Sequence, residues 1–180
     1  PLYTVFDHQE KISDYRIVWG KEWMSKQTRM PANKINAKIK KYNQFGDISL
    51  IDYDGHKYSY RCASIPMGPL AIDGYKQKEK FINQLSPSIR NIFKVRPFPL
   101  GAWETADRYQ DTFGAEIISS QPSLTSTILN SRLVICAYPQ TTFSEAMYSG
   151  VPTMILYEEK FWEVQPIYNE LIDILKATNI

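Results

Sequence analysis

The sequence predicts an α/β protein: a Rossmann-like, doubly wound, mainly parallel sheet with helices on both faces. Three observations predict it. In the C-terminal half, short apolar runs rich in β-branched residues alternate with segments of helical spacing. The connections between them are short and hold Gly or Pro, which suits parallel βαβ units with right-handed crossovers. At 180 residues, with 43% apolar and 22% charged content, the chain can bury a core of that kind.

From the N-terminus, residues 15–19 (YRIVW) read as a strand that ends at Gly20. Residues 34–42 read as a short helix with Ile35 and Ile39 on one side and Lys34, Lys38 and Lys41 on another. Residues 48–53 and 57–64 flank Asp54-Gly55, a dipeptide suited to a hairpin turn. Beyond Gly68-Pro69, residues 72–85 have helical spacing, with Ile82 and Leu85 inward and Pro87 at the end. Residues 1–70 are thus the less regular part, a linker and N-terminal portion, and 71–180 the Rossmann-like core.

The core alternates more clearly. Residues 91–96 (NIFKVR) form a strand stopped by Pro97-Phe98-Pro99. A helix over 102–113 stops at Gly114, and residues 115–119 (AEIIS) form a second strand. Pro122 opens a helix through Asn130 with Leu124, Ile128 and Leu129 inward. Residues 132–138 (RLVICAY) are a continuous apolar run, as expected of a central parallel strand. A helix over 141–149 follows and Gly150 ends it; residues 151–157 (VPTMILY) are the next buried strand. Residues 161–177 close the chain as an amphipathic helix with Ile167, Leu171, Ile174 and Leu175 on one face.

Composition excludes several classes. A net charge of +2 is too small for a nucleic-acid partner. Two histidines leave no multi-histidine zinc site, and no Asp pair has the spacing of a bound cation. Cys62 and Cys136 sit in apolar runs and read as buried thiols of a reducing, cytoplasmic compartment. No membrane span or signal peptide is visible. The chain begins at Pro1 with no methionine, which suggests a piece of a longer protein.

In open α/β sheets, ligands bind beyond the carboxyl ends of the strands. Three loops qualify: the one after Arg96, the one at Ser119-Ser120-Gln121, and Tyr138-Pro-Gln-Thr-Thr, which opens the helix bearing Glu145. The third combines a helix N-terminus, which favours phosphate, with the hydroxyls of Thr141 and Thr142. Glu145 has two uses. With Thr142 three residues before it, it can complete a capping box, or it can accept hydrogen bonds from a ribose. Gly150 lets the chain turn freely before Pro152. Arg96 can face a ligand or pair with a surface carboxylate such as Asp111. The Lys34–Lys41 cluster is a solvated face or meets a membrane surface or an anionic acceptor. His8, among Asp7, Glu10 and Asp14, is an exposed side chain or a general base.

Residues 132–157 (RLVICAYPQTTFSEAMYSGVPTMILY) resemble the C-terminal, donor-binding domain of GT-B fold glycosyltransferases. There a buried strand leads to a hydroxyl-bearing loop, then Glu-Ala, then Gly-x-Pro. More narrowly, segments 7–20 and 161–171, the Arg96 strand and Thr-Thr-Phe-x-Glu resemble a family of transferases encoded with bacterial O-antigen and surface-carbohydrate genes.

The resemblance implies that Glu145 holds the donor ribose, that Thr141 and Thr142 lie near the donor phosphates, and that Arg96 faces the donor cleft. Relatives with His-Pro after the Arg96 strand have Phe98-Pro99 matched here. It further implies a nucleotide-sugar donor and a saccharide or lipid-linked acceptor. The acceptor and the catalytic base belong to an N-terminal domain outside this chain, so the piece alone is expected to be inactive. No metal or other cofactor is implied, and the enzyme would work in the cytoplasm or at the inner membrane face, with peripheral membrane contact. A nucleotide-sugar epimerase of the same fold, or a non-catalytic Rossmann-like interaction domain, are the alternatives.

Overall fold

The computed structural model describes residues 8, 11–18, 22, 25–30, 43–55, 57–58, 67–99, 103–139, 141–156, 158, 162, 166 and 169–178. The chain forms two compact units, Pro1–Ala37 and Lys38–Ile180. In the first, β1 (Arg16–Val18) pairs in parallel with β2 (Gln27–Arg29). The Arg16 N–H donates to the Lys26 carbonyl at 2.9 Å, and the Met30 N–H to the Val18 carbonyl at 3.0 Å. The Glu22 carboxylate accepts from the Arg29 N–H at 2.7 Å, which fixes the connection.

The second unit is built on a four-stranded parallel sheet in the order β4-β3-β5-β6. Its strands are β3 (Asp47–Ile51), β4 (Phe93–Arg96), β5 (Ser131–Cys136) and β6 (Thr153–Ile155). The chain steps from β3 outward to β4, then crosses back over β3 to β5. The order therefore reverses between β3 and β5, the switch point of a doubly wound sheet.

Side-chain alternation along the strands sorts the core into two faces. Ile48 and Leu50 of β3, Phe93 and Val95 of β4, and Ile135 of β5 point to one face. There they meet Ile82 of α1 (Pro69–Asn83) and Tyr109 of α3 (Thr105–Phe113). Ile51, Val134 and Cys136 point to the other face. They meet Ile128 of α4 (Leu124–Asn130) and Ala146 of α5 (Thr141–Tyr148). Helices thus cover both faces of the sheet, as the alternation of elements predicts.

Local chemistry starts and stops these helices. Pro69 opens α1 and Pro87 opens the short α2 (Pro87–Asn91), each needing no N–H partner there. The Ser86 hydroxyl caps α2 and the Ser123 hydroxyl caps α4, accepting from the Ser126 N–H at 3.0 Å. Gly114, with φ +93°, ends α3, and Gly150, with φ +76°, follows α5.

Several expectations are corrected. The hairpin at Asp54-Gly55 does not form, because both edges of β3 are occupied by parallel strands, β4 and β5. Of its second arm, residues 59–64 lie outside the described residues, as do the helix at 34–42 and Cys62. Residues 115–119 are not a strand. Ala115–Ile117 is a 3₁₀ turn, and a single parallel bridge joins Ile118 to Val95. The expected buried strand at 151–157 is the three-residue edge strand β6, with Met154 39% exposed. The closing helix is described as α6 (Asn169–Ala177); Leu175 is buried, but Leu171 and Ile174 are exposed. Ile167 lies outside the described residues. Among the described residues, no helix is long and apolar enough to cross a membrane.

Candidate functional site

The switch point sets the carboxyl ends of β3 and β5 side by side, and each is followed two residues later by a tyrosine. Tyr53 and Tyr138 meet edge to face with centroids 5.7 Å apart. Buried Trp162 packs on both, at 5.1 Å from Tyr53 and 6.2 Å from Tyr138. These three rings occupy the crevice where the strand order reverses.

Around it lie the residues singled out in the sequence. Thr141, Thr142 and Glu145 stand on α5 directly after β5. Thr141 is exposed and Glu145 half-buried. Thr142 is buried inside the helix, and its hydroxyl pairs with the Tyr138 hydroxyl at 2.8 Å. It is therefore not the cap of a Thr-x-x-Glu box, and the cap position falls on Gln140, outside the described residues. Burial raises the Tyr138 phenol above its ordinary value; the Thr142 bond opposes this and the nearby Glu145 charge adds to it. Glu145 is thus free of the capping role.

Arg96 ends β4, with β3 between it and β5, so about 10 Å of sheet separates the two strand ends. Its Nη1 donates to the Gln121 carbonyl at 2.8 Å and to the Thr127 hydroxyl at 3.0 Å. The pairing with Asp111 is not formed; Arg96 fastens the loop before α4 instead. Burial lowers its pKa. By strand parity Arg96 belongs to the same sheet face as Ile51, the face covered by α4 and α5. The structure therefore puts Arg96, Thr141, Thr142 and Glu145 on one face toward the carboxyl ends of the strands, with no direct contact between Arg96 and α5 among the described residues. Gly150, which follows α5 and leads into the parallel strand β6, instead lies at the opposite, amino-terminal end of the sheet. His8 and Asp14 are exposed in the first unit.

On the opposite face, the carboxyl end of β3 holds a polar cluster that sequence reasoning missed. Asp52 is 2% exposed and accepts three hydrogen bonds. Lys78 of α1 donates at 2.5 Å, the Tyr53 N–H at 2.7 Å, and the Tyr109 hydroxyl of α3 at 2.7 Å. Lys78 also lies 4.5 Å from the centre of the Tyr53 ring. Burial pushes the Tyr109 phenol well above its ordinary value, and the Asp52 charge adds to the rise. Every group here is partnered, so the carboxylate is a rigid fixture beneath the strand end.

Above it opens a cleft between α1, α3 and the 53–55 loop. Tyr53, Asp54, Tyr75, Lys78, Trp103 and Arg108 are among its lining residues. The Asp54 Oδ2 accepts from the Thr105 hydroxyl at 2.8 Å and from the Trp103 N–H at 3.4 Å, which ties the loop after β3 to the start of α3. Gly74 admits the Tyr53 ring, since a Cβ there would sit 2.9 Å from its hydroxyl. One sequence signal could have found Lys78. Gly74, Lys78 and Ile82 fall at successive fourth positions and are the buried residues of α1, so a lysine stands on an apolar stripe. Among the described residues no group of three or more His, Cys, Asp or Glu side chains could hold a metal ion.

A family model described as "LIC12162 family transferase" matches residues 1–180. No curated protein and no solved structure matches the chain.

Proposed function

The chain belongs to the LIC12162 family of transferases, and from that membership we propose that it is the donor-binding half of a GT-B glycosyltransferase. The observation that carries the reading is the position of segment 141–150. It opens the helix after β5 at the switch point of a parallel sheet, where such folds bind nucleotides.

In this reading the donor is a nucleotide-sugar. Its phosphates lie at the N-terminus of α5, beside the exposed Thr141 hydroxyl. Glu145, free of a capping bond, accepts from the ribose hydroxyls. The buried Thr142 acts indirectly, holding Tyr138 through its hydroxyl. Gly150 allows the turn into β6. Arg96 keeps the Gln121 loop in place with Nη1 and adds positive charge on the same face.

On transfer, the bond from the sugar's anomeric carbon to the phosphate oxygen breaks. A bond from the acceptor hydroxyl oxygen forms, and the phosphate leaves with the electron pair. Fixed donors at the helix start and the Arg96 charge stabilise that leaving group, a task for which no metal is required. The acceptor, a saccharide or a lipid-linked one, and the base that takes its proton belong to the other half of a GT-B enzyme. Surface polysaccharide or lipopolysaccharide synthesis, on the cytoplasmic side of the membrane, is the setting that fits these substrates.

Calorimetry with CMP, UDP, GDP and their sugar conjugates tests this on the full-length protein. One nucleotide should bind, and Glu145→Ala should weaken it at least about 10-fold, the worth of a hydrogen bond to a charged group, with unchanged unfolding. If none binds, or if Glu145→Ala binds as well as the wild type, the donor reading fails.

A further inference from the structure

We propose that Tyr138 is a positioning residue for the α5 segment. Its hydroxyl, bonded to Thr142, sets the angle at which the chain enters α5 and so aims the N–H groups of that helix start at a donor phosphate. The proposal rests on the donor reading and adds to it a residue that acts without touching the ligand.

A helix start binds an anion through N–H groups that have no partner inside the helix. Their aim is set by the backbone between the end of β5 at Cys136 and the first turn of α5 at Thr141. A side-chain bond spans that connection. The Tyr138 and Thr142 hydroxyls lie 2.8 Å apart, which ties the loop to the first turn of the helix. Thr142 is buried, and its hydroxyl is taken up by this bond.

Tyr138 is itself held from two sides. Trp162 stacks on it with ring centres 6.2 Å apart and planes 26° apart. Tyr53 meets it edge to face at 5.7 Å. Tyr53 follows β3, the strand on the other side of the switch point, and is anchored there. Its N–H donates to Asp52 at 2.7 Å, and its ring centre lies 4.5 Å from the Lys78 ammonium. Asp52 is fixed in turn by Lys78 and by the Tyr109 hydroxyl. The start of α5 is thus referenced to both strands that flank the switch point. The Asp52 cluster, which no step of the transfer uses, gains a task here: it steadies the ring against which Tyr138 packs.

Packing alone does not call for a tyrosine at 138. A phenylalanine would fill the same space between Tyr53 and Trp162. The hydroxyl adds a directional bond to the helix, and a site built from fixed donors loses strength when their aim is relaxed.

The test is calorimetry on the full-length protein with the same nucleotide panel, comparing Tyr138→Phe, Thr142→Val and the double variant. Both single changes keep the shape of the side chain and should leave thermal unfolding within a few degrees of the wild type; Thr142→Ala replaces Thr142→Val if the latter does not fold. Each should weaken the nucleotide about 5- to 10-fold. The double variant should bind about as well as either single one, since the same bond is lost in all three. Thr142→Ser, which keeps the hydroxyl, should bind as the wild type does. Weakening by Tyr138→Phe alone would mean that the phenol touches the ligand directly, and it overturns the positioning role. Losses that multiply in the double variant, or unchanged affinity in both singles, overturn it too. The two proposals fail differently. A wild-type protein that binds no nucleotide overturns the donor reading and this proposal with it, whereas binding that depends on Glu145 and ignores Tyr138 and Thr142 overturns the positioning role alone.

Discussion

Asp52 and Lys78 form an ion pair with 2% and 5% residue exposure, fixed further by the Tyr109 hydroxyl. Removing one partner of such a pair strands the other charge in a dry site. Lys78→Met should therefore cost about 3–5 kcal/mol in urea denaturation. The double change with Asp52→Asn should cost clearly less than the two single changes added, since no lone charge is then left. A Lys78→Met cost near zero would show that water reaches the pair in solution. A second residue-scale prediction concerns alkali. Burial pushes the Cys136 thiol up from 9.0 to about 12. The unfolded chain then releases this proton near pH 9, whereas the folded chain keeps it to about pH 12. The stabilisation is complete below that window and is lost as pH rises through it, by up to about 4 kcal/mol. Tyr109 acts in the same direction from its ordinary value of 10.0 upward. Stability measured against pH should fall in alkali, and Cys136→Ala should flatten the slope between 9 and 12. An unchanged slope would mean that the thiol titrates alike in both states.

At the scale of elements, the approach to β3 depends on a missing side chain. A Cβ on Gly46 would overlap the Asn130 carbonyl oxygen and stand 2.8 Å from the Arg132 nitrogen. Both are backbone atoms, so no rotamer change relieves the overlap, and β3 must draw away from the start of β5. Gly46→Ala should cost at least about 1–3 kcal/mol, lowering Tm by about 2–4 °C for each kcal/mol. A variant as stable as the wild type would show that the β3–β5 junction yields easily. The same junction shows what the sequence could and could not disclose. Elements with a local period were legible: 91–96, 132–138, 141–149 and the helix ending at Gly114 all have counterparts within a few residues. Asp54-Gly55 misled because a turn dipeptide is a local signal, while parallel pairing of β3 with strands about forty and eighty residues away has none. Thr142 and Glu145 carry the spacing of a capping box, but the helix begins one residue earlier and the Tyr138 hydroxyl takes the threonine. The Asp52–Lys78–Tyr109 cluster joins three elements and becomes visible only when they are packed together.

For the whole molecule, the distribution of the core decides what can fold alone. Both hydrophobic clusters are drawn from the second unit, beginning at Ile48, and they fill the two faces of one sheet. The buried polar cluster is also contained there, as are the cleft, Arg96 and segment 141–150. A domain that holds its own core needs no outside surface to order its backbone. Residues 38–180 produced by themselves should therefore unfold in one cooperative transition, followed alike by far-ultraviolet circular dichroism and by tryptophan fluorescence. In that fragment, Lys78→Met and Gly46→Ala should shift the midpoint by the same free energies as in the full chain, because every atom they disturb is retained. Non-coincident transitions, or a fragment that binds hydrophobic dyes and lacks near-ultraviolet dichroism, would show that residues before 38 complete the core.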